Sequence, residues 1–267
     1  MDEAAGWSRA TAPPGQMMRR LTGADGQGYR LLLATPPQAS PASGHPAVLV
    51  LDADLHFQIV AGAAAALSRR TEKTRVPPLA VIGLAPDDDG ARRIRDFTDG
   101  PPDPPAATPH PAGGAETLLA LIEDQILPAV AAVAAMDRAR LGLFGHSLGA
   151  LFGLYAMTRR PGLFAAYALV SPSLWWRPAL ADQAVDAARG RVRALHLAWG
   201  ELEAGGEAGD AAGRAMGPRA ARALASFAVA LGPDAVSGGA IQDEDHGSAP
   251  VAACPAALRA LSRGFAA

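Results

Sequence analysis

The chain alternates short, largely apolar runs with longer stretches whose apolar residues recur at helical spacing. Ala47–Leu51 is continuously apolar and ends in Asp52, and Leu79–Leu84, Leu141–Phe144, Ala166–Val170 and Ala194–Trp199 follow the same pattern. Such runs, bounded by turn residues, read as strands buried on both faces of a parallel sheet. Helical periodicity fills the gaps: residues 57–69, Thr117–Ala135 with Pro128 kinking or dividing it, a helix running to Arg160, residues 211–231, and Val251–Phe265. Ahead of these, Met17–Leu21 and Tyr29–Ala34 flank GADGQG, whose glycines supply the positive φ angles of a turn, so residues 17–35 read as a β-hairpin. The pattern predicts an α/β fold: a mostly parallel central sheet, helices on both faces and an N-terminal antiparallel hairpin.

Three stretches follow neither period. Residues 36–46 are a Pro/Ser/Gly-rich connection, 86–114 concentrate Asp, Pro and Gly, and 204–213 are rich in Gly, Ala and acids. Long irregular segments inside an α/β domain are functional or mobile loops, and 86–114 is read as an active-site loop. With no internal repeat and no linker, residues 1–267 read as a single domain.

Composition narrows the function. The formal net charge is −2 with no clustered basic patch, which argues against nucleic acid as a partner. Lys73 is the only lysine, so a Walker-type phosphate loop is absent and one candidate remains for a Schiff base. The lone cysteine, Cys254, excludes an internal disulfide framework and a multi-cysteine metal site. No run reaches the about 18 apolar residues needed to span a bilayer. The start, MDEAAGWSRA, is acidic and lacks the basic and apolar regions of a secretory signal, so the chain reads as soluble and cytoplasmic, with no membrane partner. No helix pattern follows GADGQG, so it is not a dinucleotide loop, and no cofactor is expected. Asp87-Asp88-Asp89-Gly90 lacks the spaced ligands and closing glutamate of a calcium loop. It reads as a turn with solvated carboxylates rather than a metal site.

The strongest chemical signal is Gly145-His146-Ser147-Leu148-Gly149, set between the strand LGLF and a helix of small and apolar residues. That context makes it a nucleophile elbow of the α/β-hydrolase fold: a strained turn lifts the serine Oγ above the sheet, and flanking glycines relieve clashes between strand and helix. The following helix also points its positive end at the site. A serine hydroxyl needs a base, and in this fold the chain order is serine, acid, histidine. Only His196 and His246 follow Ser147, and His196 lies inside a predicted strand. His246, in the polar loop DEDHGS before the final helix, is the general base. His45, His56 and His110 precede the nucleophile in predicted turns, with surface or pocket-rim roles; His146 neighbours the serine but cannot fold back as its base. The acid should follow the strand Ala194–Trp199, where GELE makes Glu203 the leading candidate, Glu201 the second, and Asp210 and Asp234 lower ones. The oxyanion hole should use the backbone N–H of Leu148 and one from Ala53 or Asp54, after the strand Ala47–Leu51.

Four stretches carry a resemblance: VLVLDAD with Phe57 following, RRIRDFT at 92–98, LFGHSLGALFGLYA running on to VSPSLWW at 170–176, and GELE with the later DHGS. Together they resemble the "Putative esterase" group of α/β hydrolases, which includes esterase D-like proteins and IroE-type trilactone siderophore esterases. The resemblance implies that Ser147 and His246 are the catalytic serine and histidine, and that Arg93 binds substrate oxygens. It places Trp175 and Trp176 on the pocket wall, with a core-packing aromatic pair as the alternative, and His146 is counted with the substrate-binding residues. Ala150 and Ala53 depart from glycines common in the group, and some members work with little help from an acid. The implied function is a serine-dependent carboxylic ester hydrolase acting through an acyl-enzyme on a siderophore-type or other small ester. An acyltransferase and a non-catalytic binding protein are the alternatives. The group spans acetyl, formyl-thioester and siderophore substrates, so resemblance fixes reaction class better than substrate.

Overall fold

The computed structural model describes residues 15–88, 90, 92–203 and 216–266. Strands β1 (Gln16–Thr22) and β2 (Gly28–Ala34) pair antiparallel from Gln16 with Ala34 to Thr22 with Gly28. The predicted hairpin is therefore present. Next come β3 (His45–Leu51), helices α1 (Ala53–Ser68) and α2 (Thr71–Thr74), β4 (Ala80–Pro86), and the short helix α3 (Arg93–Phe97). Helices α4 (Ala115–Leu121) and α5 (Leu127–Ala131) are joined by a π turn over Ile122–Ile126. The remainder runs β5 (Met136–His146), α6 (Leu148–Arg159), β6 (Ala166–Val170), α7 (Leu180–Ala188), β7 (Ala194–Gly200), a 3₁₀ turn at Glu201–Glu203, α8 (Met216–Leu231), β8 (Val236–Ile241) and α9 (Ala249–Ala266).

One eight-stranded sheet has the order β1-β2-β4-β3-β5-β6-β7-β8, antiparallel only where β2 meets β1 and β4. β3 lies near its centre and is buried throughout. Its side chains alternate between two cores, as the strand period of two requires: Ala47, Leu49 and Leu51 enter one, Val48 and Val50 the other. The second core is closed by Phe57 and Val60 of α1 and by Leu258 and Leu261 of α9; the first by α6, α7 and α8 through residues such as Phe152, Ala184 and Phe227. Helices cover both faces, and the sequence pattern is an α/β-hydrolase fold in three dimensions. No described helix is long and apolar enough to cross a membrane.

The departures have local causes. The expected division is present, in that a π turn just ahead of Pro128 separates α4 from α5, but the helical path runs on past the proline. Proline lacks an N–H and crowds the carbonyl one turn back. The wider π turn just ahead, with Leu127 N–H donating to Ile122 O, lets the helical path continue. The segment 86–114 is not irregular throughout, because α3 is anchored in the core by buried Phe97 and Thr98 and by Asp96, whose Oδ2 accepts the Tyr29 hydroxyl at 3.0 Å. In the DDDG turn, Asp87 pairs with Arg20 and Arg30 and Asp88 with Arg92, so these carboxylates are ion-paired rather than merely solvated. Asp89, the start of the 211–231 helix up to residue 215, and the 204–213 segment lie outside the described residues.

Candidate active site

The chain leaves β3 for β4 on one side and reaches β5 on the other, so the strand order reverses between β3 and β5. Open α/β sheets form their ligand crevice at such a switch point, beyond the carboxyl ends of the strands. Here those ends carry Asp52 after β3, Ser147 after β5, Ser171 and Ser173 after β6, and Glu203 after β7.

Ser147 sits between β5 and α6 at φ 57° and ψ −117°, a conformation unfavourable for a side chain with a Cβ. The turn is held by Ser147 N–H donating to Val170 O at 3.0 Å and by Ser173 N–H donating to Ser147 O at 3.2 Å. Gly145 makes the bend sterically possible: a Cβ there would stand 2.4 Å from the Gly149 carbonyl oxygen. The Ser147 Oγ lies 3.0 Å from His246 Nε2 and 3.2 Å from Ser173 Oγ. His246 Nδ1 is 2.8 Å from Glu203 Oε2.

The loop that delivers His246 is turned by its own sequence. Asp245 Oδ1 accepts the N–H groups of Gly247 and Ser248, both at 2.8 Å, which turns the chain into the first turn of α9. Glu203 is 7 % exposed. Burial raises its carboxyl pKa, but hydrogen bonds from His246, Ser171 and the Gly200 N–H outweigh it, and the net shift is downward. The group therefore stays ionised and can only accept, which puts the imidazole proton on Nδ1 and leaves Nε2 to accept from Ser147. Glu201 is exposed and takes the Asp243 N–H instead, and Asp234 is exposed in a turn. Asp210 lies outside the described residues.

Arg93, on α3, donates from Nε to Asp52 Oδ1 at 2.7 Å and from Nη2 to the His146 carbonyl at 3.3 Å. Together with Ser147, Leu148, Glu203, His246 and Trp175 it lines a cleft of about 440 Å³, to which Ser173, Leu202 and Met216 also contribute. The structure thus brings together six of the nine leading site candidates from sequence. The other three are not in the cleft lining. Ala53 is the first residue of α1, Trp176 is buried with its Nε1–H donated to Gly100 O at 2.9 Å, and His146 is buried with Nε2 on the His246 carbonyl.

Among the remaining histidines, His196 lies within β7, with Nδ1 3.1 Å from Ser237 Oγ. His110 is exposed, but His45 opens β3 and His56 lies in α1, and both are buried rather than on turns at the surface. The His56 ring stands edge-on to that of His146, 5.4 Å between centroids. Sequence reasoning did not reveal Ser171, Ser173 or Asp52 as part of the site. The polar residues that directly follow each apolar run were the available signal.

A family model described as "Putative esterase" matches residues 25–208. Ferri-bacillibactin esterase BesA of Bacillus subtilis is 32% identical over 181 residues, covering 64% of this chain and 63% of that protein. Siderophore triacetylfusarinine C esterase of Aspergillus fumigatus is 42% identical over 89 residues, 33% of this chain and 29% of that protein. The matched stretches thus span less than two thirds of these relatives. In fold, the crystal structure of BES protein from Bacillus cereus superposes with a TM-score of 0.82 at 24% identity, covering 96% of this chain and 98% of that one. With most of its length matched by the family model and its sheet shared with such a neighbour, the chain belongs to the "Putative esterase" family.

Proposed function

We propose that the protein hydrolyses carboxylic esters through an acyl-enzyme formed on Ser147. The observation that carries the reading is the continuous chain Ser147 Oγ, His246 Nε2, His246 Nδ1 and Glu203 Oε2, with contacts of 3.0 and 2.8 Å. In this reading His246 takes the Ser147 proton as Oγ attacks the ester carbonyl, then returns it to the leaving alkoxide as the tetrahedral intermediate collapses. Water enters by the same route, its proton passing to His246 and then to Ser147 as the acid departs. Glu203 holds the imidazole tautomer and stabilises the imidazolium.

The oxyanion is assigned to the backbone N–H of Leu148, which lines the cleft, with the N–H of Ala53, outside that lining, as the candidate second donor. Each is the first residue of a helix, where the N–H has no intrahelical acceptor and the helix dipole favours negative charge. Losing one such donor typically costs about 3 kcal/mol of transition-state stabilisation. Arg93 would meet substrate oxygens while Trp175, Leu202 and Met216 supply apolar wall. The relatives' names, ferri-bacillibactin esterase and siderophore triacetylfusarinine C esterase, make a siderophore ester the leading substrate class for this chain.

The test is a panel of short-chain p-nitrophenyl esters, acetylated sugars and ferric siderophore esters, assayed with wild type and Ser147→Ala. Release of free acid by wild type, and a loss of at least about 10⁴-fold in Ser147→Ala, are expected. Wild-type turnover in the folded variant removes Ser147 from the mechanism. Diversion of the acyl group to an added alcohol would instead indicate acyl transfer.

A further inference from the structure

The proposed base rides on an exposed loop: 45% of the His246 side chain is accessible. Glu203 restrains one ring nitrogen, but that bond does not fix the backbone from which the ring projects. A second restraint comes from the elbow. His146, the residue before the nucleophile, is 8% exposed and places Nε2 2.8 Å from the His246 backbone carbonyl. A carbonyl can only accept, so Nε2 carries the proton. The two imidazoles lie with centroids 4.6 Å apart.

His146 is itself held on three sides. Its backbone carbonyl accepts from Arg93, its ring meets the edge of His56, and its main chain is the last residue of β5, paired with Val170. Burial, then the neighbouring His246, His56 and Arg93, push its pKa down to about 3 despite the opposing carbonyl bond. It therefore stays neutral, with one N–H to give, and adds no charge to oppose an imidazolium at His246.

We infer that His146 is a positioning residue whose Nε2–H fixes the His246 backbone, tying the base to the turn that carries the nucleophile. The inference rests on the proposed roles of Ser147 and His246. It replaces a substrate contact as the reason for a histidine here, because His146 does not line the cleft and its Nε2 is occupied. Displacing a reacting group by about 1 Å can cost on the order of 100-fold in rate.

The experiment compares wild type, His146→Met, which keeps bulk without a donor, and His146→Gln, whose amide can donate near the Nε2 position. The readouts are kcat and KM on a p-nitrophenyl ester and the labelling rate of Ser147 by a fluorophosphonate, with thermal melts as the fold control. His146→Met is expected to lose about 10- to 100-fold in kcat and in labelling rate with KM within about twofold. His146→Gln is expected to recover most of that loss. Wild-type labelling and kcat in His146→Met, equal impairment of both variants, or an effect confined to KM would each overturn the inference. If His146→Met does not melt cooperatively, His146→Asn, whose shorter amide falls short of the carbonyl, replaces it with the same expected loss. Failure of the wild type to label at Ser147 would remove the esterase reading as well; normal wild-type labelling with an unaffected variant removes the positioning role alone.

Discussion

Glu203 Oε2 stands 2.8 Å from His246 Nδ1, and the carboxylate is not free to rotate away. Its other oxygen accepts the Gly200 N–H at 2.7 Å and the Ser171 hydroxyl at 2.5 Å, both from the carboxyl ends of neighbouring strands. The acid is thus oriented by the sheet itself, and the oxygen facing the histidine is decided by what holds the opposite one.

That arrangement makes Glu203→Gln informative. Gly200 N–H and Ser171 O–H both demand an acceptor, so the amide oxygen takes their side and the NH₂ faces Nδ1. The imidazole must then move its proton to Nε2, which opposes acceptance from Ser147. We expect a loss on the order of 10²- to 10⁴-fold in kcat, and less than about twofold for Glu201→Gln, measured on one activated ester. The reverse ranking would transfer the role to Glu201.

The two glycines of the elbow should not respond alike. A Cβ at Gly145 would lie 2.4 Å from Gly149 O, 2.6 Å from its carbonyl carbon and 2.9 Å from Ala150 N, all backbone atoms that cannot rotate aside. At Gly149 the nearest atom is Asp52 Oδ2 at 3.4 Å, an ordinary contact, and alanine is the better helix former. Gly145→Ala is expected to destabilise by about 3 kcal/mol, or about 6–12 °C in Tm. Gly149→Ala should melt within about 3 °C of wild type. Equal melting of the two would show that the strand-to-helix approach is looser than these distances require.

The residues legible in sequence are those whose signal is local or ordered along the chain. Ser147 announces itself by its pentapeptide between strand and helix, and His246 and Glu203 by following it in the right order next to an apolar run. Asp52, Ser171 and Ser173 act through proximity created by the sheet, and nothing in their immediate neighbours distinguishes them from turn residues. His56 illustrates the same limit: α1 begins at Ala53, directly after Asp52 turns through φ 50°, and its first turn exposes Leu55 while burying His56, which inverts the expected helical period. β8 escaped the pattern because it is a half-exposed edge strand whose Gly238 and Gly239 sit at φ 131° and 128°. A Cβ at Gly238 would come within 1.8 Å of the Leu197 carbonyl oxygen, so close packing against β7 excludes the apolar side chains that normally mark a strand.

Arg93 should govern substrate affinity. Its Nε is committed to Asp52 and one Nη2 bond to the His146 carbonyl, while the side chain remains 28% exposed at the cleft. A charge-assisted hydrogen bond contributes about 1.5–3 kcal/mol. Arg93→Gln is therefore expected to lower kcat/KM by at least about tenfold, with the change concentrated in KM. Asp52→Asn should produce a weaker version of the same effect, by releasing the guanidinium from its buried partner. An unchanged KM in both variants would take Arg93 out of substrate recognition.

Acid should destabilise the fold before it protonates the carboxylates. Burial pushes His146 down to about 3, and burial with the nearby Arg263 pushes His196 down to about 4. Unfolded, both titrate near 6.5. Because the folded pKa lies below the unfolded one, the unfolded chain binds more protons as the pH falls below about 6.5. The stability these neutral rings contribute is complete above that value and drains away toward the folded values. Each ring steepens the decline by up to about 1.4 kcal/mol per pH unit. His196 is the cleaner probe, since it contacts Ser237 on the neighbouring strand and does not line the cleft. Urea melts at pH 7, 6 and 5 should therefore show a shallower loss of stability in His196→Gln than in wild type. Parallel slopes for the two proteins would mean that folding does not lower the pKa of His196.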